Sequence, residues 1–158
     1  MRHTSLLTVY LTLLIALLCQ LFPWVGQGII FRPAFMLVVL LYWLLRAPNL
    51  CNIGTAWLAG LLVDLATGSL LGQHALSFTV AAYVALSYQR RLVLFNGWQL
   101  AAYVLALLMI ERVVILLLKL FVGNENTGFQ YFLPILAGLV LWQCMILMFG
   151  GITRPKSQ

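Results

Sequence analysis

Residues 53–72 read Ile53-Gly54-Thr55-Ala56-Trp57-Leu58-Ala59-Gly60-Leu61-Leu62-Val63-Asp64-Leu65-Ala66-Thr67-Gly68-Ser69-Leu70-Leu71-Gly72. A single charge, Asp64, interrupts an otherwise apolar run. Ala56, Gly60, Asp64, Gly68 and Gly72 recur at every fourth position, so the helical part of the series forms one slowly rotating face. Outward from Asp64 the chain stays uncharged for 17 residues on one side (Ala47–Val63) and 25 on the other (Leu65–Gln89). Runs of that length are the mark of helices made to lie in lipid.

The rest of the chain fits the same pattern. Of 158 residues, 64% are hydrophobic and 8% charged, where a soluble domain is nearer half apolar and a quarter charged. The mean hydropathy is +1.06. Too few polar residues exist to cover a water-facing surface, which excludes a soluble globular domain, a disordered tail and a secreted disulfide scaffold. Further uncharged intervals hold 29 residues between Arg2 and Arg32, 19 from Leu92 to Ile110 and 28 from Asn126 to Thr153. The interval Pro33–Leu45 has only 13, short for a span unless Arg32 snorkels outward. The expected fold is an all-α polytopic membrane protein, one transmembrane domain over residues 1–158. Its six helices fall near 6–24, 30–46, 53–70, 74–89, 98–121 and 130–151.

Basic residues set the expected orientation. With both termini in the cytoplasm, the inner side holds Arg2, Arg46, Arg90, Arg91, Arg154 and Lys156, and the outer side only Arg32 and Lys119. Trp24, Trp43, Trp98 and Tyr131 fall near the interfaces, where amphipathic rings settle. The formal net charge of +6 therefore reads as orientation signal and attraction to anionic membrane lipids, not as a nucleic-acid footprint.

Local punctuation agrees with these helix ends. Phe31-Arg32-Pro33 opens the second helix with proline in its first turn, and Ala47-Pro48-Asn49 closes it. Asn52 is placed to cap the third helix. Arg2 and His3 before an apolar run imitate a signal peptide, but Cys19-Gln20-Leu21-Phe22-Pro23 offers no small-x-small cleavage site, so the first helix is expected to stay uncleaved. Cys19, Cys51 and Cys144 have neither metal-ligand spacing nor an evident pairing, and read as small apolar fillers.

The candidate functional residues are the few polar groups at membrane depth. A carboxylate there costs a few kcal/mol on insertion scales and is a functional-site hypothesis by default. Asp64 and the pair Glu111–Arg112 fall at similar depth when counted from the inner helix ends at about 1.5 Å per residue. Sequence neighbours on a helix point about 100° apart, so Glu111 and Arg112 are not expected to face each other. The expectation is an ion pair between Asp64 and Arg112, with Arg32 as a second possible partner; it would be a clamp on helix register, a partner-binding element, or a proton or ligand site. Small residues supply packing candidates: Ala56, Gly60, Gly68 and Gly72 on the third helix, and Ser77, Ala81 and Ala85 on the fourth. They suit internal packing or the docking of a partner's helix.

Catalysis has little to stand on. His3 lies near a terminus and His74 stands alone at an outer helix start, where an interfacial anchor or cap is the ordinary role. There is no histidine pair at metal spacing, no phosphate-binding glycine loop and no nucleophile elbow. No enzymatic centre and no cofactor is expected.

The order of motifs resembles a known family. Phe22-Pro23-Trp24 ends the first helix, Phe31-Arg32-Pro33 and Leu40-Leu41-Tyr42-Trp43 follow, then Asn52-Ile53-Gly54-Thr55, Ala59-Gly60-Leu61-Leu62-Val63-Asp64-Leu65 and Gly68-Ser69-Leu70-Leu71-Gly72 with Ala75-Leu76. Together they are similar to MreD, the rod shape-determining inner-membrane proteins of bacteria, over roughly residues 10–90. The family's motifs map onto Arg32, Pro33, Gly60, Asp64, Gly68 and Gly72. The resemblance implies a non-enzymatic scaffold or regulator of the complex that builds the lateral wall. Its implied partners are the bitopic protein MreC, the MreB filament, and the RodA glycosyltransferase with its transpeptidase. It also implies a fold like that of the substrate-binding components of energy-coupling-factor vitamin transporters, and such a component is the alternative function. Those proteins carry an alanine-x-x-x-alanine face on their first helix, whereas Ala16 is the only alanine here.

Overall fold

The computed structural model describes residues 6–22, 33–92, 95–123 and 129–149. Among them run six α-helices: α1 (Leu6–Leu21), α2 (Phe35–Arg46), α3 (Ile53–Thr67), α4 (Gln73–Leu92), α5 (Gly97–Phe121) and α6 (Leu133–Phe149). A short 3₁₀ turn, Phe129–Phe132, leads into α6. The all-helical class and the order of helices agree with the sequence reading.

The lengths differ from it. α1 ends at Leu21, α2 begins at Phe35 and α3 stops at Thr67, each inside the expected bounds. Among the described residues, no helix is long and apolar enough to cross a membrane. α1, α2, α3 and α6 have 16, 12, 15 and 17 residues. α4 carries Gln89-Arg90-Arg91 in its last turn, and α5, at 25 residues, carries Glu111, Arg112 and Lys119. The parts of the expected helices at 23–24, 30–32 and 150–151 lie outside the described residues.

Elementary capping explains the helix boundaries. The Asn52 backbone N–H donates to Thr55 Oγ1 (2.9 Å) at the start of α3, and the Asn96 N–H donates to Gln99 Oε1 (3.0 Å) at the start of α5. α3 ends where Gly68 turns left-handed (φ 64°), letting its N–H and that of Ser69 reach back to the Asp64 carbonyl. A side chain at Gly68 would be strained there, which is why the stop falls on glycine.

α2 is the central element. Nine of its twelve residues are buried, from Met36 through Leu45, so it is apolar on all sides, as befits a helix enclosed by others. It packs against α1, α3, α4 and α6. α3 packs most extensively on α4, α4 continues onto α5, and α5 onto α6. Polar groups fasten neighbouring helices. Trp43 Nε1 donates to Thr12 Oγ1 (2.7 Å), joining α2 to α1, and the Tyr103 hydroxyl donates to the Val84 carbonyl (2.9 Å), joining α5 to α4. Tyr42 meets Trp43 and Trp142 edge-on, bringing α6 to the centre.

The outer surface is apolar. Leu7, Leu14, Leu18, Leu62, Leu65, Val140 and Leu147 all present at least half of their area outward. The fully buried polar side chains are instead inside, at Asp64, Ser77 and Glu111.

Candidate functional site

Asp64 is in the last turn of α3, at the hairpin joining α3 to α4. Its side chain is 1% exposed, yet well supplied with donors. Ser69 Oγ donates to Oδ1 (2.8 Å) and the Gly72 N–H to Oδ2 (2.9 Å). The His74 N–H is shared between Oδ1 (3.0 Å) and Oδ2 (3.2 Å), and the Ala75 N–H reaches Oδ2 (3.3 Å). His74 Nδ1 lies 2.8 Å from Oδ1. Three of these donors are backbone amides at the start of α4, which no intrahelical carbonyl can serve. Asp64 thus caps the helix that follows its own, placing a negative charge at the positive end of α4.

This corrects the expected Asp64–Arg112 pair. Among the described residues the two ion pairs are His74–Asp64 and Arg112–Glu111 (Arg112 Nε to Glu111 Oε2, 3.2 Å). The first arises because the hairpin turn, with φ 95° at Gly72, folds the start of α4 back over the end of α3. The second arises because Arg112 has a stem long enough to bend back along α5, which overrides the 100° separation of neighbouring positions. Arg32, the second expected partner, lies outside the described residues. His74 is no isolated anchor: its ring serves Asp64 and stands edge-on to Phe78 at 6.0 Å between centroids.

Gly60 is what lets the hairpin close. A Cβ at that position would lie 2.5 Å from the Ala75 Cα and the His74 carbonyl oxygen, and 2.6 Å from the Ala75 nitrogen. The α3 backbone therefore touches the first turn of α4, one helical turn below the Asp64 carboxylate. Ala56 on α3 and Ser77, Ala81 and Ala85 on α4 are also fully buried. Gly68 and Gly72 belong to the turn, where nothing lies within 4 Å of the place a Cβ would take, and their role is backbone conformation alone.

A second polar group gathers on α5. Glu111 is 1% exposed, on the helix α5 that packs against α4, and Arg112 Nε lies 3.2 Å from its Oε2. The Arg112 guanidinium lies over the Tyr131 ring at 5.5 Å, and Lys119 Nζ over the same ring at 5.1 Å. Asp64, Ser69 and His74 thus make one polar group at the α3–α4 hairpin, and Glu111, Arg112, Lys119 and Tyr131 a second on α5 and the turn before α6. Ser69, Lys119 and Tyr131 do not stand out in the sequence as parts of these groups, since their roles depend on turn geometry and on how α5 meets the segment before α6.

Gln20 escapes the sequence reading as well. Its Oε1 accepts the Met36 N–H (3.0 Å), so α1 caps α2 much as α3 caps α4. The only sequence signal is a polar residue in an otherwise apolar helix end, and in the fold it is buried. Among the described residues no group of three or more histidine, cysteine or acidic side chains could hold a metal ion.

The sequence profile of the rod shape-determining protein MreD family matches residues 1–151. The Rod shape-determining protein MreD of Haemophilus influenzae is 32% identical over 140 residues, covering 89% of this chain and 86% of that protein. No solved structure matches, and the expected likeness to the vitamin-transporter components finds no support. With nearly the whole length matched, the chain belongs to the MreD family of rod shape-determining proteins.

Proposed function

We propose that this chain is a multi-pass protein of the bacterial inner membrane that acts as a non-enzymatic scaffold in rod-shape maintenance. It works through lateral contacts with the spanning helix of MreC, and so positions the wall synthase formed by RodA and its transpeptidase alongside MreB. Family membership supports the shape-determining role. The observation that carries the membrane reading is the inverted surface. Leu147, Met148 and Leu7 are 84%, 80% and 71% exposed, while Asp64 and Glu111 are 1% exposed. Exposed apolar area on this scale is unfavourable in water and at rest among lipid tails.

Chain length is compatible with crossing. The uncharged intervals that contain α1 and α6, 29 and 28 residues long, exceed those helices, and α5 alone rises about 37 Å at ~1.5 Å per residue, against a hydrocarbon core of about 30 Å. With six crossings and both ends inside, the Asp64 cluster lies toward the outer face. A tight α3–α4 hairpin closed by that cluster is suited to presenting a fixed surface and has the buried, satisfied character of a structural joint.

Depletion of the protein in a rod-shaped host, followed by microscopy, tests the role. Rounding and lysis in both rich and minimal medium is the expected result. Rods that keep their shape would refute it. A photo-reactive residue at Leu14, Leu62 or Leu147 should cross-link MreC from one of these faces, and failure from all three would remove the lateral-docking mechanism.

A further inference from the structure

The two buried carboxylates live in opposite surroundings. Asp64 accepts from a hydroxyl, three backbone amides and an imidazole nitrogen, so its charge is fully dispersed. Glu111 is equally buried, but among the described residues no hydrogen bond reaches its Oε2. Arg112 Nε stands 3.2 Å from that oxygen without hydrogen-bond alignment, and its guanidinium is drawn over the Tyr131 ring at 5.5 Å. This is not the two-pronged geometry by which arginine holds a buried carboxylate. A charged carboxylate left this way is expensive, and taking up a proton is the usual relief.

We propose that Glu111 is a proton-binding site, carrying an exchangeable proton when α5 is seated against the α3–α4 hairpin. The charged and titratable groups around it are His74 from the hairpin, Arg112 on its own helix and Tyr131 before α6, with Lys119 over that same ring. The proton comes from water at that end of the bundle, where the His74 side chain is 18% exposed.

Infrared spectroscopy can read this directly, because the chain has only three acidic residues, Asp64, Glu111 and Glu125. The full chain in a detergent without ester carbonyls should show a carboxylic-acid C=O band at neutral pH. The band should shift on ¹³C-glutamate labelling, persist in Glu125→Gln and vanish in Glu111→Gln. The labelled Glu125→Gln protein settles the assignment even where Glu111→Gln does not fold, since Glu111 is then the sole glutamate. Absence of any such band, or a band unmoved by the glutamate label, would overturn the proposal.

Discussion

Replacing Gly60 by alanine adds one methyl group at the tightest point of the bundle. Built on the existing backbone, that Cβ would meet three backbone atoms of His74 and Ala75 at 2.5–2.6 Å, closer than real Cβ contacts come. No flexible side chain can yield, so α3 and α4 must move apart by about 1 Å to restore ordinary contact. Overpacking of this kind costs about 1–3 kcal/mol. The shift also stretches the bonds from His74 N and Ala75 N to Asp64, and a hydrogen bond to a charged group is worth about 1.5–3 kcal/mol. Against this, alanine gains about 1 kcal/mol over glycine in helix propensity. The balance is a loss of roughly 2–4 kcal/mol on these figures. Gly54→Ala and Gly97→Ala are the controls, because nothing lies within 4 Å of their Cβ positions. Thermal or denaturant unfolding of purified protein, followed by tryptophan fluorescence, should rank Gly60→Ala well below wild type and both controls at or slightly above it. A Gly60→Ala protein as stable as Gly54→Ala would refute the claim that the two helix backbones touch there.

Other substitutions probe the same joint and its relatives. Asp64→Ala should lose about 3–5 kcal/mol, as expected when a buried ionic hub is removed, and His74→Ala clearly less, since the backbone donors to Asp64 remain; equal losses in unfolding experiments would contradict the capping role. Exchanging the charges of Asp64 and Arg112 should fail to rescue cell shape, because the two do not pair; rescue would restore the α3–α5 ion pair to consideration. Gln20→Leu should destabilise by about 1 kcal/mol through loss of the Met36 cap, and no change in unfolding midpoint would count against that bond. A double-mutant cycle on Thr12→Val and Trp43→Phe should give a coupling of about 1 kcal/mol, and additive effects would show that their hydrogen bond contributes nothing.

Sequence reading reached the architecture through composition and charge spacing, which are global signals. Six helices in order followed from the placement of twelve charges among apolar runs. Asn52 and Gly68 marked their helix ends because capping is local chemistry. Asp64 stood out as a buried charge, and the fourfold spacing from Ala56 through Gly60 pointed to close backbone contact. What escaped was pairing between segments. Counting residues along a helix fixes depth but not azimuth, so Asp64 and Arg112 at similar depth looked like partners. The choice was made instead by a left-handed Gly72, which delivers the amides and ring of His74 to Asp64 at hydrogen-bond distance. Gln20 and Tyr131 depend likewise on contacts across segments, which no periodicity encodes.

The most direct test of the account is accessibility of single cysteines, placed in a background with Cys19, Cys51 and Cys144 replaced, to a hydrophilic maleimide in native membranes. Cysteines at Leu14, Leu62 and Leu147, outward on the apolar faces, should stay unlabelled until detergent is added. A cysteine at Leu71 in the α3–α4 turn should label in intact spheroplasts, and one at Asn49 in the α2–α3 turn only after the membrane is opened. Labelling of the outward leucine positions as readily as the turns would contradict a bundle whose apolar surface is buried in the bilayer.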